Sequence, residues 1–138
     1  MRIVAINRTR RRVPVSAIRR DLRLTLAHLG RPGRTLDIVT VVCISAMESE
    51  RLNRRFRRSR RPANVLSFRY NGEGEVLLAP SLIAREARVR GESYPARLRR
   101  LAVHGLLHLA GHHHEAGRRQ AERFERKEER VLKSLGLA

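Results

Sequence analysis

Aromatic residues and cysteine are scarce in this sequence, and long apolar runs are missing. Its 138 residues include no Trp, two Tyr and three Phe, which argues against the aromatic base-stacking platforms of RNA-recognition and OB modules. The single cysteine, Cys43, excludes an intramolecular disulfide and suits a reducing compartment. The uncharged run from Ile38 to Met47 is far shorter than the ~20 residues of a membrane helix. Because arginines follow the short apolar start, unlike in a signal peptide, we expect a cytoplasmic protein without a membrane segment.

The charge of the chain is strongly unbalanced toward arginine. Lys and Arg together number 31 against 13 Asp and Glu, which gives a formal net charge of +18 and an isoelectric point near 11.9. Lys127 and Lys133 are the only lysines, and Arg guanidinium groups suit phosphate oxygens better than ammonium groups do. A GC-rich genome would favour Arg over Lys but would not by itself produce the net charge. The balance points to nucleic acid, an anionic membrane or another polyanion as partner.

Hydrophobic periodicity predicts an α/β fold. Four segments have the pattern of strands and five have the spacing of helices. The predicted strands cover residues 2–7, 36–44, 64–70 and 75–79, and the predicted helices cover about 14–30, 45–57, 80–91, 95–110 and 117–135. Ser45 and Glu48 match a helix capping box, and Asn71, Gly72 and Gly74 predict a turn between the last two strands. Since no linker or repeat interrupts residues 1–138, we expect a single α/β domain with a small mixed sheet of about four strands flanked by about five helices.

The histidines are concentrated in one segment, with five of the six between His104 and His114. The flanking residues are apolar on nearly every side, which predicts a buried helix. His104 and His108 are four residues apart, so both leave one helix face, and two buried imidazoles are costly unless their nitrogens are satisfied. Gly111 suits the helix end and allows the chain to return His114 to the same ion. Three imidazoles and a water would form an open site for zinc or a similar divalent ion.

Alternative interpretations of the histidine segment are less complete. A solvated tract of His112, His113 and His114 could bind metal casually, but it would leave His104 and His108 unexplained. We therefore leave His112 and His113 outside the ligand set.

The spacing H-x-x-x-H-x-x-G-x-x-H is also that of metzincin proteases. Their general base is the Glu of H-E-x-x-H, and Gly105 occupies that position here. No methionine follows the last histidine, since Met1 and Met47 are the only two. Peptide hydrolysis by that mechanism lacks its base, although a bound ion could still activate a water.

A second cluster is basic and lies at the end of the predicted helix 45–57 and in the loop after it. Its six arginines fall within eight residues: Arg54, Arg55, Arg57, Arg58, Arg60 and Arg61. For most of them a solvated face is the simplest interpretation. Together they form a footprint for phosphates, with salt-sensitive binding expected. An arginine within reach of a metal-bound phosphate would stabilise charge on the phosphoryl oxygens.

Three blocks of the sequence match patterns of a known family, in the family order. Residues 104–114 read HGLLHLAGHHH and match H-G-x-L-H-L-x-G-[YH]-D-H. Residues 52–57 and 62–68 read LNRRFR and PANVLSF and match L-N-x-x-[YF]-R and P-T-D-V-L-S-F. Residues 74–80, followed by Glu86-Ala87, match a G-D-I strand with a Pro and a following E-A. Over about residues 35–130 the chain therefore resembles the YbeY family of metal-dependent endoribonucleases, the ribosomal RNA maturation factors.

The resemblance implies both a site and a function. It implies a zincin-like three-His zinc site in a cleft, with ligands at His104, His108 and His114 and a functionally important arginine at Arg57. It implies a single-strand-specific endoribonuclease that matures the 3′ end of the small-subunit ribosomal RNA and acts in ribosome quality control. Ribosomal RNA and the ribosome are the implied partners, and the sequence leaves open whether a ribosomal protein or a GTPase adds specificity.

Three positions depart from the family pattern. The Asp before the last ligand is His113 here, which would change a group that orients a ligand. The Thr-Asp pair is Ala63-Asn64, which removes a carboxylate near the expected cleft, and the strand Asp is Glu75.

The preferred hypothesis is a metal-dependent endoribonuclease in which Arg57 clamps the phosphoryl group and the neighbouring arginines hold the RNA backbone. A non-catalytic RNA-binding or ribosome-binding protein with a structural metal stays open because of Asn64 and His113. A metalloprotease is disfavoured by Gly105.

Overall fold

Four strands and five helices are present in the computed structural model, which describes residues 2–30, 35–57, 63–111 and 117–138, with the backbone alone at Arg57. They follow the chain as β1 (Arg2–Asn7), α1 (Val15–Leu29), β2 (Ile38–Cys43), α2 (Ala46–Arg57), β3 (Val65–Tyr70), β4 (Glu73–Leu78), α3 (Pro80–Arg90), α4 (Tyr94–Leu109) and α5 (Arg118–Ser134). The predicted number and order of elements are confirmed, with bounds within two residues of the prediction. Among the described helices, none combines the length and the apolar character needed to cross a bilayer.

The strands form one mixed sheet in the order β1-β2-β4-β3. β1, β2 and β4 are parallel, whereas β3 runs antiparallel to β4 and forms an edge of the sheet. The β3–β4 hairpin turns at Asn71 and Gly72, and Asn71 has φ 56°, a positive value of the kind that the first central residue of a two-residue hairpin turn requires. One half of the predicted capping box is present at α2, where the Ser45 hydroxyl accepts a hydrogen bond from the backbone N–H of Glu48 at 3.1 Å.

The prediction that Gly74 belongs to the turn is wrong, because β4 already begins at Glu73. Gly74 pairs with Arg69 inside the hairpin. A Cβ at this position would lie 2.7 Å from Cδ1 of Leu109. The glycine therefore allows the end of α4 to approach the sheet closely, which is a packing requirement rather than a turn requirement.

Helix α4 is the most deeply buried helix of the fold and lies against one face of the sheet. Its inward side chains are inaccessible to solvent: Leu98, Ala102, Val103, Leu106 and Leu107. Full burial of one such Leu or Val contributes roughly 1.5–3 kcal/mol relative to exposure. Helices α1, α3 and α5 supply further side chains to the same core, while Leu52 of α2 packs on a smaller cluster on the opposite face. The prediction of a buried histidine-bearing helix is confirmed.

Polar contacts fix the position of α4 along the sheet. The Ser93 hydroxyl accepts a hydrogen bond from the backbone N–H of Ala96 at 3.3 Å and caps its start. Arg99 donates two hydrogen bonds, of 2.6 and 3.0 Å, to the carboxylate of Asp21 on α1. Since the Asp21 side chain is 1% exposed, loss of Arg99 would leave a buried carboxylate without this partner. The clamp therefore holds α4, and with it the histidines, against α1.

Candidate metal centre

Two histidines of helix α4 meet at one point. Because His104 and His108 lie four residues apart, their side chains leave the same face of the helix. Their Nε2 atoms are 3.0 Å apart, and their ring centroids are separated by 4.6 Å. Two unprotonated nitrogens repel each other at this distance, so the geometry calls for a proton or a cation between them. The arrangement fits two ligands of one metal ion.

Glu128 of helix α5 orients the first of these histidines. Its carboxylate oxygens lie 2.8 and 3.0 Å from Nδ1 of His104. A proton on Nδ1, donated to this carboxylate, leaves Nε2 of His104 as the acceptor, which is the tautomer that binds a metal. Sequence reasoning missed Glu128. The sequence pattern that could have indicated it is its position on the buried side of α5, between Phe124 and Val131. An acidic residue at such a position needs a partner.

An aromatic ring covers one side of the histidine pair. Phe124 is 2% exposed, and its ring centroid lies 5.4 Å from that of His104 and 4.8 Å from that of His108. Such an apolar wall lowers the local dielectric constant and strengthens electrostatic interactions at the pair. The His104 side chain is 31% exposed, so solvent still reaches the site from another side.

The third predicted ligand, His114, lies outside the described residues, as do His112 and His113. Within the ranges that the structure describes, no group of three or more His, Cys, Asp or Glu side chains is placed to hold an ion. The described chain does reach Gly111, which has φ 90° and donates its N–H to the carbonyl of His108 at 3.2 Å. The predicted turn after α4 is confirmed, and the three-His zinc site stays a prediction with two of its ligands together.

Gly105, which stands where metzincins carry their general base, faces the sheet. A Cβ there would lie 2.7 Å from Cγ1 of Val76 and 3.0 Å from the hydroxyl oxygen of Ser67. The Ser67 hydroxyl also donates a hydrogen bond to the Gly105 carbonyl at 3.1 Å. A glutamate side chain cannot be accommodated in this contact without moving α4 away from the sheet. The absence of the protease base is therefore built into the packing of this fold.

The predicted basic cluster is only partly described. Arg57 is the last residue of α2, and the structure describes only its backbone. Arg58, Arg60 and Arg61 lie outside the described residues. The roles assigned to these four arginines stay predictions.

The two remaining arginines of the cluster make weak local contacts. Nη2 of Arg54 lies 3.0 Å from Oε1 of Glu50, one helical turn earlier. The guanidinium carbon of Arg55 lies 5.3 Å from the ring centroid of Phe56. Such an exposed ion pair is worth about 0.3–0.5 kcal/mol, and an exposed cation–π contact about 0.5–1 kcal/mol. Both arginines can therefore exchange these contacts for a phosphate.

The structure gathers two of the three phenylalanines at one surface, which the composition does not reveal. The rings of Phe56 and Phe68 meet edge to face with centroids 5.4 Å apart, and Phe56 is 53% exposed. The scarcity of aromatic residues argued against a base-stacking surface. A residue count, however, says nothing about whether the few aromatic side chains lie together. Next to Arg55, this pair offers one place where an unpaired base could stack.

Asn64, one of the departures from the family pattern, takes part in a polar network. Its amide nitrogen donates hydrogen bonds to both carboxylate oxygens of Glu86 on α3, at 2.9 and 3.2 Å. Arg97 on α4 donates to the same carboxylate at 2.7 Å. An aspartate at position 64 would place a second carboxylate against Glu86, whereas the amide supplies donors. The asparagine therefore suits the surroundings it has in this chain.

A family model and several related sequences match the chain over most of its length. The model described as Endoribonuclease YbeY covers residues 6–136. The Endoribonuclease YbeY of Alkalilimnicola ehrlichii is 36% identical over 135 residues, which cover 91% of this chain and 80% of the relative. The Endoribonuclease YbeY of Geobacter metallireducens is 34% identical, and the match covers 96% of this chain and 95% of the relative.

A solved structure agrees with the fold. The solution structure of a Thermotoga maritima protein superposes with a TM-score of 0.61 at 25% identity. The match covers 96% of this chain and 90% of the Thermotoga maritima chain. The matches include the segment that carries His104 and His108 and the two that carry Arg57 and Asn64. This chain belongs to the YbeY endoribonuclease family.

Proposed function

We propose that the protein is a metal-dependent, single-strand-specific endoribonuclease that acts on ribosomal RNA. The observation that carries this proposal is the pair of Nε2 atoms of His104 and His108, 3.0 Å apart, with Nδ1 of His104 held by Glu128. Family membership supports RNA as the substrate, and the net charge of +18 suits a polyanion. By resemblance to the family, its role is maturation of the small-subunit ribosomal RNA 3′ end and ribosome quality control, in the cytoplasm and on the ribosome.

His104, His108 and His114 are the residues that would hold the ion. Neutral imidazole nitrogens suit zinc or another divalent transition ion. When bound, the ion supplies Lewis-acid chemistry, which activates water and polarises a phosphoryl oxygen. Glu128 keeps the proton on Nδ1 of His104 and so keeps Nε2 available, while Phe124 excludes water from one side of the pair.

Arg57 is the residue proposed to bind the scissile phosphoryl group. A guanidinium places two parallel N–H donors against phosphate oxygens and neutralises charge that develops during cleavage. The flanking arginines would hold neighbouring phosphates, which orient the strand but do not select its sequence. They are Arg54, Arg55, Arg58, Arg60 and Arg61.

The proposal is tested by comparing wild-type protein with His108→Ala on a small-subunit ribosomal RNA precursor that retains its 3′ extension. His28→Ala is the matched control, because His28 is an exposed histidine at the end of α1. We expect wild type and His28→Ala to contain one zinc per chain and to cleave single-stranded regions. His108→Ala should cleave more than about 100-fold more slowly, since loss of a group that only supports a ligand already costs about 10–100-fold.

Two results would contradict the proposal. Equal cleavage by wild type and His108→Ala would identify a contaminating nuclease. Absence of cleavage by zinc-loaded wild type, combined with a lower melting temperature after chelation, would favour a non-catalytic ribosome-binding protein with a structural metal.

A further inference from the structure

Helix α5 carries three distinct faces along its length. One is buried against α4 through Phe124 and Val131. A second is acidic and consists of Glu122, Glu125 and Glu129, at spacings of three and four residues. A third, called here the α5 basic stripe, consists of four cations at i, i+3, i+4 and i+7: Arg123, Arg126, Lys127 and Arg130. Such spacing places all four side chains on one side of the helix, over about 10 Å of its axis.

The α5 basic stripe lines a cleft of about 400 Å³ close to the end of α4. Gly111, three residues after His108, and Phe124 line the same cleft. Because the Phe124 ring also packs against His104 and His108, one aromatic ring separates the cleft from the candidate metal centre. A polymer lying in the cleft would thus pass on the other side of this ring from the two histidines.

The charges of the stripe are available to a ligand. In the part of the chain that the structure describes, none of the four cations forms an ion pair, and no carboxylate lines the cleft. The arginines of α4 differ, since Arg97, Arg99 and Arg100 are all paired with carboxylates. Four neighbouring cations that form no ion pair repel one another, and a polyanion in the cleft would relieve that repulsion.

We propose that the α5 basic stripe binds the phosphodiester backbone of the single-stranded RNA substrate next to the point of cleavage. This inference rests on the proposed function and adds a second contact surface to it, separate from the arginines around α2. Three of the four cations are arginines, which bind phosphate through paired donors. The position of the cleft, one aromatic ring away from the histidine pair, favours the substrate over an acidic protein segment.

Counterion release gives the size of the expected effect. For single-stranded nucleic acid, the logarithm of affinity changes with the logarithm of salt concentration by about 0.7 per neutralised phosphate. Each phosphate contact thus raises the binding affinity about 5-fold at 0.1 M salt relative to 1 M salt. Removal of two contacts should weaken binding about 25-fold at 0.1 M salt and reduce the salt slope by about 1.4.

The experiment uses a fluorescent, single-stranded RNA oligonucleotide of 12 nucleotides with 2′-O-methyl groups. Fluorescence anisotropy measures its binding to the zinc-loaded protein at several salt concentrations. The test variant is Arg123→Gln/Arg130→Gln. The matched control is Arg23→Gln/Arg88→Gln, which removes two exposed arginines of α1 and α3 that form no ion pair within the described ranges. A third variant, Arg123→Lys/Arg130→Lys, preserves charge. Gels after the titration verify that the probe is intact, and circular dichroism verifies folding.

We expect the test variant alone to lose about 25-fold in affinity and to show the smaller salt slope. In cleavage of a single-stranded ribosomal RNA fragment, its KM should rise while kcat changes little. The lysine variant should keep the salt slope of wild type, because the charge is retained, and should lose less affinity than the glutamine variant.

The outcomes separate this inference from the proposed function. If wild type cleaves RNA but the test and control variants bind equally, the inference is overturned and the nuclease stands. If no protein cleaves RNA but only the test variant loses affinity, the stripe binds RNA and the nuclease fails. If the test variant binds RNA normally but loses affinity for polyglutamate, the stripe serves an acidic protein partner and the inference is overturned.

Discussion

Glu128→Gln should weaken metal binding without unfolding the protein. In wild type, both carboxylate oxygens lie within 3.0 Å of Nδ1 of His104. The amide of Gln keeps the shape of the side chain but removes its negative charge, and its nitrogen cannot accept the Nδ1 proton. His104 then loses both the negative charge beside its Nδ1 atom and part of the constraint on its tautomer.

The size of the effect follows from the role of such partners in metal sites. Loss of the carboxylate that orients a ligating histidine costs about 10–100-fold in metal affinity, which corresponds to about 1.4–2.8 kcal/mol. We expect the upper part of this range, because the Glu128 side chain is 19% exposed and water replaces it poorly. The assay is zinc competition against a chromophoric chelator at neutral pH, with thermal unfolding measured on the same samples.

Glu129→Gln is the matched control for this prediction. It makes the same chemical change one residue later on α5, at an exposed position on the acidic face. It should bind zinc as wild type does. The reasoning would be refuted if Glu128→Gln bound zinc as tightly as Glu129→Gln, because the carboxylate would then have no part in holding His104 for the ion.

Two further predictions concern the packing of α4 and a buried thiol. Gly105→Ala should lower the free energy of unfolding by up to ~2 kcal/mol in urea titrations. Overpacking against Val76 and Ser67 costs about 1–3 kcal/mol, and the gain in helix propensity offsets about 1 kcal/mol of that cost. A variant more stable than wild type would contradict the close contact at Gly105. Burial raises the pKa of the Cys43 thiol from 9.0 to about 11, so the unfolded chain loses its proton first as pH rises. Stability from this group is complete below pH 9 and declines toward pH 11 by roughly 2–3 kcal/mol. Cys43→Ala should flatten that part of the pH profile of unfolding, and an unchanged profile would exclude Cys43 as its cause.

Secondary structure and the histidine pair were predictable because both depend on local spacing. A separation of four residues on a helix brings His104 and His108 together whatever surrounds them. The apolar residues around them likewise predict a buried helix, and the structure buries Leu106 and Leu107 completely. The role of Gly74 was predicted wrongly, because its close contact with Leu109 depends on how a helix 35 residues later along the chain packs on the sheet.

The partners of the site could not be predicted because they come from distant segments. Glu128 lies 24 residues after His104 and reaches it only because α5 packs on α4. Phe56 and Phe68 belong to different elements, and their contact depends on the packing of α2 beside β3. No periodicity within one element encodes such contacts.

The sequence by itself determined the elements, the two adjacent histidines, the excess of positive charge and the family, because each depends on residue identity and short-range spacing. The tertiary structure alone decided that Glu128 holds His104 and that Gly105 has no room for a protease base. It also decided that the basic stripe of α5 lines a cleft one aromatic ring away from the histidines. These features depend on distances between elements, and those distances are set by side-chain packing across the whole core.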